Sequence, residues 1–195
     1  IDAGIYSEYT SNYPLWEALA GYASEKGLGL QLHLAEARNE VDSCLDRTGM
    51  TPGELLACHR LFAVPATAAG CAYLEPEEAK MLGKKKASAV ALPLSAAKNG
   101  QHCAPITDLV KAGMNVALGT DGAIQAGNLD MFEVMRGAAM SVRAAKEDPS
   151  ALPSSAALLM ATYCGAQAQG RSRECGMLKE GMDADLVLVD FTAPH

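Results

Sequence analysis

Two short stretches place a side chain capable of chemistry where the chain leaves a buried strand. In His33-Leu34-Ala35-Glu36 an imidazole closes the apolar run LGLQLHL, and a carboxylate follows three residues later. An imidazole nitrogen can ligate a divalent metal, and a carboxylate at that spacing can shuttle protons beside it. In Leu118-Gly119-Thr120-Asp121-Gly122-Ala123 the carboxylate of Asp121 follows the run NVAL, with Gly119 and Gly122 permitting a sharp exit. Asp121 could be a metal ligand or a general base. Each stretch also has a plainer reading. His33 could hydrogen-bond at a strand end while Glu36 opens a helix, where its charge suits the dipole, and Asp121 could form an Asx-turn or a cap. Two metal-competent residues delivered to one face are more specific than either alone.

The elements that must position them alternate along the chain. Strand-like runs fall at 28–34, 87–92, 115–118 and 186–189, and stretches of helical spacing separate them. Pro14 opens a helix whose apolar face is read as Leu15, Leu19, Tyr22 and Ala23, with Gly27 as its stop. Further helices are expected over 76–83, 107–112, 129–145 and 153–167, with Met131, Met135 and Met140 as core residues. Such alternation predicts parallel strands joined by helical crossovers, about four units, or five if residues 1–5 end a strand.

The 195 residues are fewer than the roughly 250 typical of a closed eight-unit barrel, which points to part of one. Apolar residues at 49 % and charged residues at 20 % exclude wholesale disorder. A net charge of −7 repels phosphate backbones, so nucleic acid is not an expected partner. No apolar run reaches membrane-spanning length, and no membrane partner is expected. Six scattered cysteines without a CxxC pair suggest a reducing compartment, with the cytoplasm as the expected location. The chain opens on Ile1 within an apolar run, and a start inside a longer protein is expected.

Taken in order, HLAEARNEV, the Pro93-x-Ser95-x(9)-Pro105 pattern, AGMNVALGTDGA, NLDMFEVMR, LLMATYCGAQAQG and GMLKEGMDADLVLVDF resemble the amidohydrolase superfamily. More narrowly they are similar to its deaminase and chlorohydrolase branch, which includes methylthioadenosine/S-adenosylhomocysteine, guanine and cytosine-deaminase-like enzymes. The resemblance implies a partial (β/α)8 TIM-type barrel, about its fourth to eighth strands, over residues 1–170. A linker and a returning strand of a small β-sandwich would follow over 171–195. It further implies a Zn or Fe ion with His33 and Asp121 among its ligands, Asp121 also taking a proton from water, and Glu36 protonating the ring of a small heterocyclic substrate as ammonia leaves.

Three departures accompany the resemblance. The family's HxH pair is absent from the four histidines His33, His59, His102 and His195. In GIYSEYTS the family's substrate-contacting histidine is replaced by Tyr6, which can still donate a hydrogen bond. In ATAAGCAYLEPEE the histidine that polarises the reacting centre is replaced by Gly70, which offers no side chain. Among the other histidines His59 reads as a helix-boundary residue, and His102 is the better candidate to approach a ligand from the loop NGQHCAP. The chain alone is therefore expected to be inactive. Its intact parent is read as a metal-dependent hydrolase that deaminates, or cleaves C–N or C–Cl bonds in, a nitrogen heterocycle. The alternative is a catalytically impaired homologue that binds or assembles. A homo-oligomer that completes the site, or covers two open sheet edges, is a third reading.

Overall fold

The computed structural model describes residues 1–190 and 192. Its first strand, β1, is the short pair Ala3–Gly4, followed by a 3₁₀ turn at Glu8–Thr10 and helix α1, Tyr13–Lys26. Strand β2 is Leu30–Leu34, α2 is Arg38–Thr48 and α3 is Pro52–Cys58. Strand β3, Ala66–Gly70, leads to α4, Pro76–Lys84. Strand β4, Ser88–Ala91, leads to α5, Pro93–Lys98, and α6, Ile106–Lys111. Strand β5, Asn115–Leu118, is followed by α7, Ala123–Ala126, α8, Met131–Lys146, α9, Ser154–Ala161, and α10, Tyr163–Ala168.

All strand pairings are parallel, and the order β1-β2-β3-β4-β5 follows the sequence. That one-way progression is the winding of a (β/α) barrel rather than of a doubly wound sheet, whose order reverses. The outer edges of β1 and β5 have no strand partner among the described residues. Strand β2 alternates, with Leu30, Leu32 and Leu34 buried and His33 only half-buried. Next to it β3 and β4 are rich in alanine, and Ala68, Ala89 and Ala91 are fully buried.

Local chemistry fixes the helix ends. Asn12 accepts the Leu15 N–H at the start of α1, and Gly27 ends it in the left-handed conformation. The inward face of α1 is Trp16, Ala20 and Ala23, not the expected Leu15 and Tyr22, which are 48 % and 52 % exposed. Trp16 decides the rotation, because its large ring is fully buried and its indole N–H donates to Ser11 Oγ at 2.6 Å. In α8 Met131 and Met135 pack on the core, but Met140 is exposed. Five residues after Met135 it lies about 140° further round the helix. The helix expected over 153–167 is two helices, because Thr162 leaves the helical region (φ −122°, ψ −88°).

The expected strand over 186–189 is not formed. Leu186, Val187, Leu188 and Val189 are all exposed. A strand exists only through ladder hydrogen bonds, and no neighbour supplies them among the described residues. Helix α10 instead closes the lower end of the sheet, where Asn115 Nδ2 donates to the Cys164 carbonyl and Thr67 Oγ1 to the Ala168 carbonyl. The upper end, where β2, β3 and β5 run out, stays open for side chains.

Helices α3 and α4 are joined by Glu78, a buried carboxylate that accepts from the Thr51 hydroxyl at 2.6 Å and the Gly53 N–H at 2.7 Å. Burial raises its pKa above the ordinary 4.5, against the pull of those donors. The folded chain therefore holds this proton more tightly than the unfolded one. The associated stability is complete below the unfolded value and is lost as pH rises through the folded value. Denaturant titrations near about pH 4 and about pH 7 should show Glu78→Gln gaining on the wild type as pH rises. A pH-independent difference would contradict this account.

Candidate active site

A single cleft of about 950 Å³ lies at the upper end of the sheet, and Tyr6, His33, Glu36, Ser95 and Asp121 all line it. Strand β2 delivers the first pair. The His33 N–H donates to the Tyr6 carbonyl at 2.7 Å, which seats the segment after β1 beside the strand end. Ala35 then turns left-handed (φ 48°), and Glu36 comes back over His33 with Oε2 3.3 Å from Nδ1.

That carboxylate raises the basicity of His33, while burial opposes it. The contact is close enough for charge attraction but is not aligned as a hydrogen bond. His33 Nδ1 is thus buried without a hydrogen-bond partner among the described residues. The Tyr6 ring lies 5.0 Å from the imidazole, and burial, with the neighbouring Tyr9 and Glu36, pushes its hydroxyl pKa up.

The turn after His33 is held by Glu40. It is only 7 % exposed, and its two oxygens accept the N–H groups of Ala35 at 2.9 Å and Glu36 at 2.8 Å. Burial raises the Glu40 pKa even so. The plainer reading, in which Glu36 opens a helix, does not match the structure: α2 begins at Arg38, and the carboxylate that serves the turn is Glu40. The available signal was a second glutamate four residues on, in HLAEARNE.

Asp121 itself adopts the left-handed conformation (φ 59°) after β5, so the sharp exit is made by the aspartate and not by its glycines. Its Oδ1 accepts the N–H of the next residue, Gly122, at 2.8 Å, which is neither the Asx-turn nor the helix cap of the plainer reading, and its Oδ2 accepts the Ser95 hydroxyl at 2.8 Å. Gly119 has a packing role, since a β-carbon there would stand 2.8 Å from Val90. Ser95 is 1 % exposed, and sequence reasoning missed it although it is the serine of the quoted Pro93-x-Ser95 pattern.

Two expected substrate contacts fall outside this cleft. Gly70 (φ 92°) lies behind Glu36, and a β-carbon on it would be 2.9 Å from that residue's Cβ. It touches the cleft only through the side chain it supports. His102 is exposed, packs edge-on to Tyr73 at 5.7 Å and lines a separate cleft of about 610 Å³. The loop after α5 carries it to that side, away from the space between His33 and Asp121. His59 stacks on Tyr13 at 4.4 Å and meets Glu17 at 3.2 Å, a boundary role as expected, whereas His195 lies outside the described residues.

One imidazole and one carboxylate, converging from β2 and β5 on the same cleft, are donors of the types a divalent ion takes. They make up part of a shell. No group of three or more candidate ligands occurs among the described residues.

Against known proteins, the model of the amidohydrolase family matches residues 3–194. The chain belongs to the amidohydrolase family. This amidohydrolase is 40 % identical over 192 residues to a 5-methylthioadenosine/S-adenosylhomocysteine deaminase of Pelotomaculum thermopropionicum, covering 98 % of this chain and 44 % of that relative. It is 42 % identical over 177 residues to the deaminase of the same description from Moorella thermoacetica, covering 91 % and 41 %. Its fold superposes with a TM-score of 0.94 on an adenosine deaminase from Xanthomonas campestris with bound zinc, at 30 % identity, covering 98 % of this chain and 44 % of that one. With an atrazine chlorohydrolase from Arthrobacter aurescens complexed with zinc the TM-score is 0.84 at 26 % identity, covering 93 % and 40 %. The chain thus spans less than half the length of these relatives. The five strands are a segment of the family's barrel. No helix among the described residues is long and apolar enough to cross a membrane.

Proposed function

We propose that this chain supplies the proton-transfer side of a hydrolytic deaminase acting on an amino-substituted nitrogen heterocycle of the adenosine class. The observation that carries the reading is the convergence of His33, Glu36 and Asp121 on one cleft. His33 and Asp121 would hold a divalent metal, with zinc supported by the zinc-bound structural relatives. When bound, such an ion supplies the Lewis acidity that makes water acidic near neutral pH.

The chain's own residues divide the remaining work. Asp121, oriented by the buried Ser95 hydroxyl, accepts the proton of the attacking water. Glu36 carries a proton to the ring nitrogen beside the attacked carbon, a role that its half-buried place on the cleft wall suits. Tyr6, at the same wall, offers a hydroxyl donor to the heterocycle.

The test is ammonia release from 5′-methylthioadenosine, S-adenosylhomocysteine and adenosine by the full-length protein, with metal content measured on the same sample. Ammonia from at least one of them, abolished by chelation and restored by zinc, is the expected result. No release from any of the three by zinc-loaded protein overturns the reading. It would favour instead an impaired homologue that only binds, for which the side-chain-free Gly70 is the supporting observation.

A further inference from the structure

The cleft contains one carboxylate to which neither the chemistry nor the turn held by Glu40 gives a role. Glu8 sits in the 3₁₀ turn between β1 and α1, is 1 % exposed, and lines the same cleft as His33 and Asp121. Its Oε2 accepts from Arg47 Nη2 at 2.6 Å, whereas Oε1 is buried and has no hydrogen-bond partner among the described residues. The turn is firmly built. The Ser7 N–H donates to Thr10 Oγ1 at 3.1 Å, and the Thr10 and Ser11 hydroxyls both donate back to the Ser7 carbonyl at 3.0 and 3.1 Å.

The other carboxylates at this wall are committed. Both oxygens of Glu40 are taken by backbone N–H groups, Asp121 is taken by Ser95 and Gly122, and Glu36 faces His33. Only Glu8 retains an acceptor that has lost water and gained nothing in return, and a buried acceptor of that kind is normally satisfied by something. Arg47 already balances its charge, so the missing partner need not be a cation. A neutral O–H or N–H suffices.

We propose that Glu8 Oε1 is a specificity-determining acceptor for an O–H or N–H donor that the heterocyclic ligand carries away from its reacting carbon. This rests on the reading that the cleft takes a heterocycle. A site built around a hydrogen bond rejects the analogue lacking the donor far more strongly than a merely enclosing pocket does, because its own buried group is left unpaired.

The experiment measures equilibrium binding of three ligands to the full-length protein by calorimetry, with ammonia release recorded in parallel. The ligands are adenosine, its 2-amino derivative, which adds a ring N–H donor, and its 2′,3′-dideoxy analogue, which lacks the sugar hydroxyls. The wild type should prefer the donor-bearing member of at least one pair by about tenfold or more. Glu8→Met, close in size and without an acceptor oxygen, should bring that ratio near one. Glu8→Gln, which keeps the shape, should reduce it and decides the matter alone if the methionine variant does not fold. The pair that collapses identifies the donor as ring amine or sugar hydroxyl. Ratios that both variants leave unchanged, or no binding of any of the three, overturn the proposal. A wild type with a Glu8-dependent ratio but no ammonia release upholds the acceptor site and removes the deaminase reading.

Discussion

Glu36→Gln in the full-length protein should lower kcat for ammonia release by about 10²–10⁴-fold, the range for losing a positioned acid or base. The change keeps the shape of the side chain, and the turn survives it, because that turn is held by Glu40 and not by Glu36. KM should move little, since the carboxylate is assigned to a proton transfer and not to holding the ring. Steady-state kinetics on a variant with an unaltered melting temperature separates the two. A variant that keeps more than about a third of wild-type kcat would remove Glu36 from the mechanism, whatever its distance from His33.

Gly70→His should destabilise the protein and fail to raise turnover, although it puts an imidazole where the resemblance implies one. Two costs combine at that position. The backbone has φ 92°, a conformation that side chains rarely adopt, and the new β-carbon would begin 2.9 Å from the Cβ of Glu36. Strained backbone costs about 1–3 kcal/mol and overpacking about 1–3 kcal/mol, so a loss of roughly 2–6 kcal/mol is expected. At about 2–4 °C per kcal/mol for a domain of this size, the melting temperature should fall by roughly 4–24 °C. Turnover should fall with it, because Glu36 must move to make room. Gly70→Ala carries most of the same penalty without the ring and should melt close to the histidine variant. An unchanged melting temperature together with faster ammonia release would show that the glycine is a lost functional group and not a packing solution.

Much of this was legible in the residues. Runs of alternating or continuous apolar character located β2, β4 and β5 within a residue or two, and proline and glycine marked most helix ends. The His33–Glu36 pair was legible because both residues sit on one strand exit, where three residues of spacing constrain the geometry. Less legible were features that depend on which side chains meet in the fold. The rotation of α1 is set by Trp16 reaching Ser11, and the orientation of Asp121 by Ser95, 26 residues away. The run at 186–189 forms no strand among the described residues for a related reason. Composition reports a capacity to pair, while pairing needs a second segment. His102 lies after the correct strand but faces a neighbouring cleft, because the path of a loop is not written in its residue types.

Glu40 has a consequence for how the cleft meets a ligand. With both of its oxygens committed to the Ala35 and Glu36 amides, the backbone that aims Glu36 is already locked before anything enters. The reorganisation that a mobile loop would undergo during each turnover is settled once, when the chain folds. Chemistry at such a site should quicken with warming as a rigid assembly does, without the curvature that a melting loop would introduce.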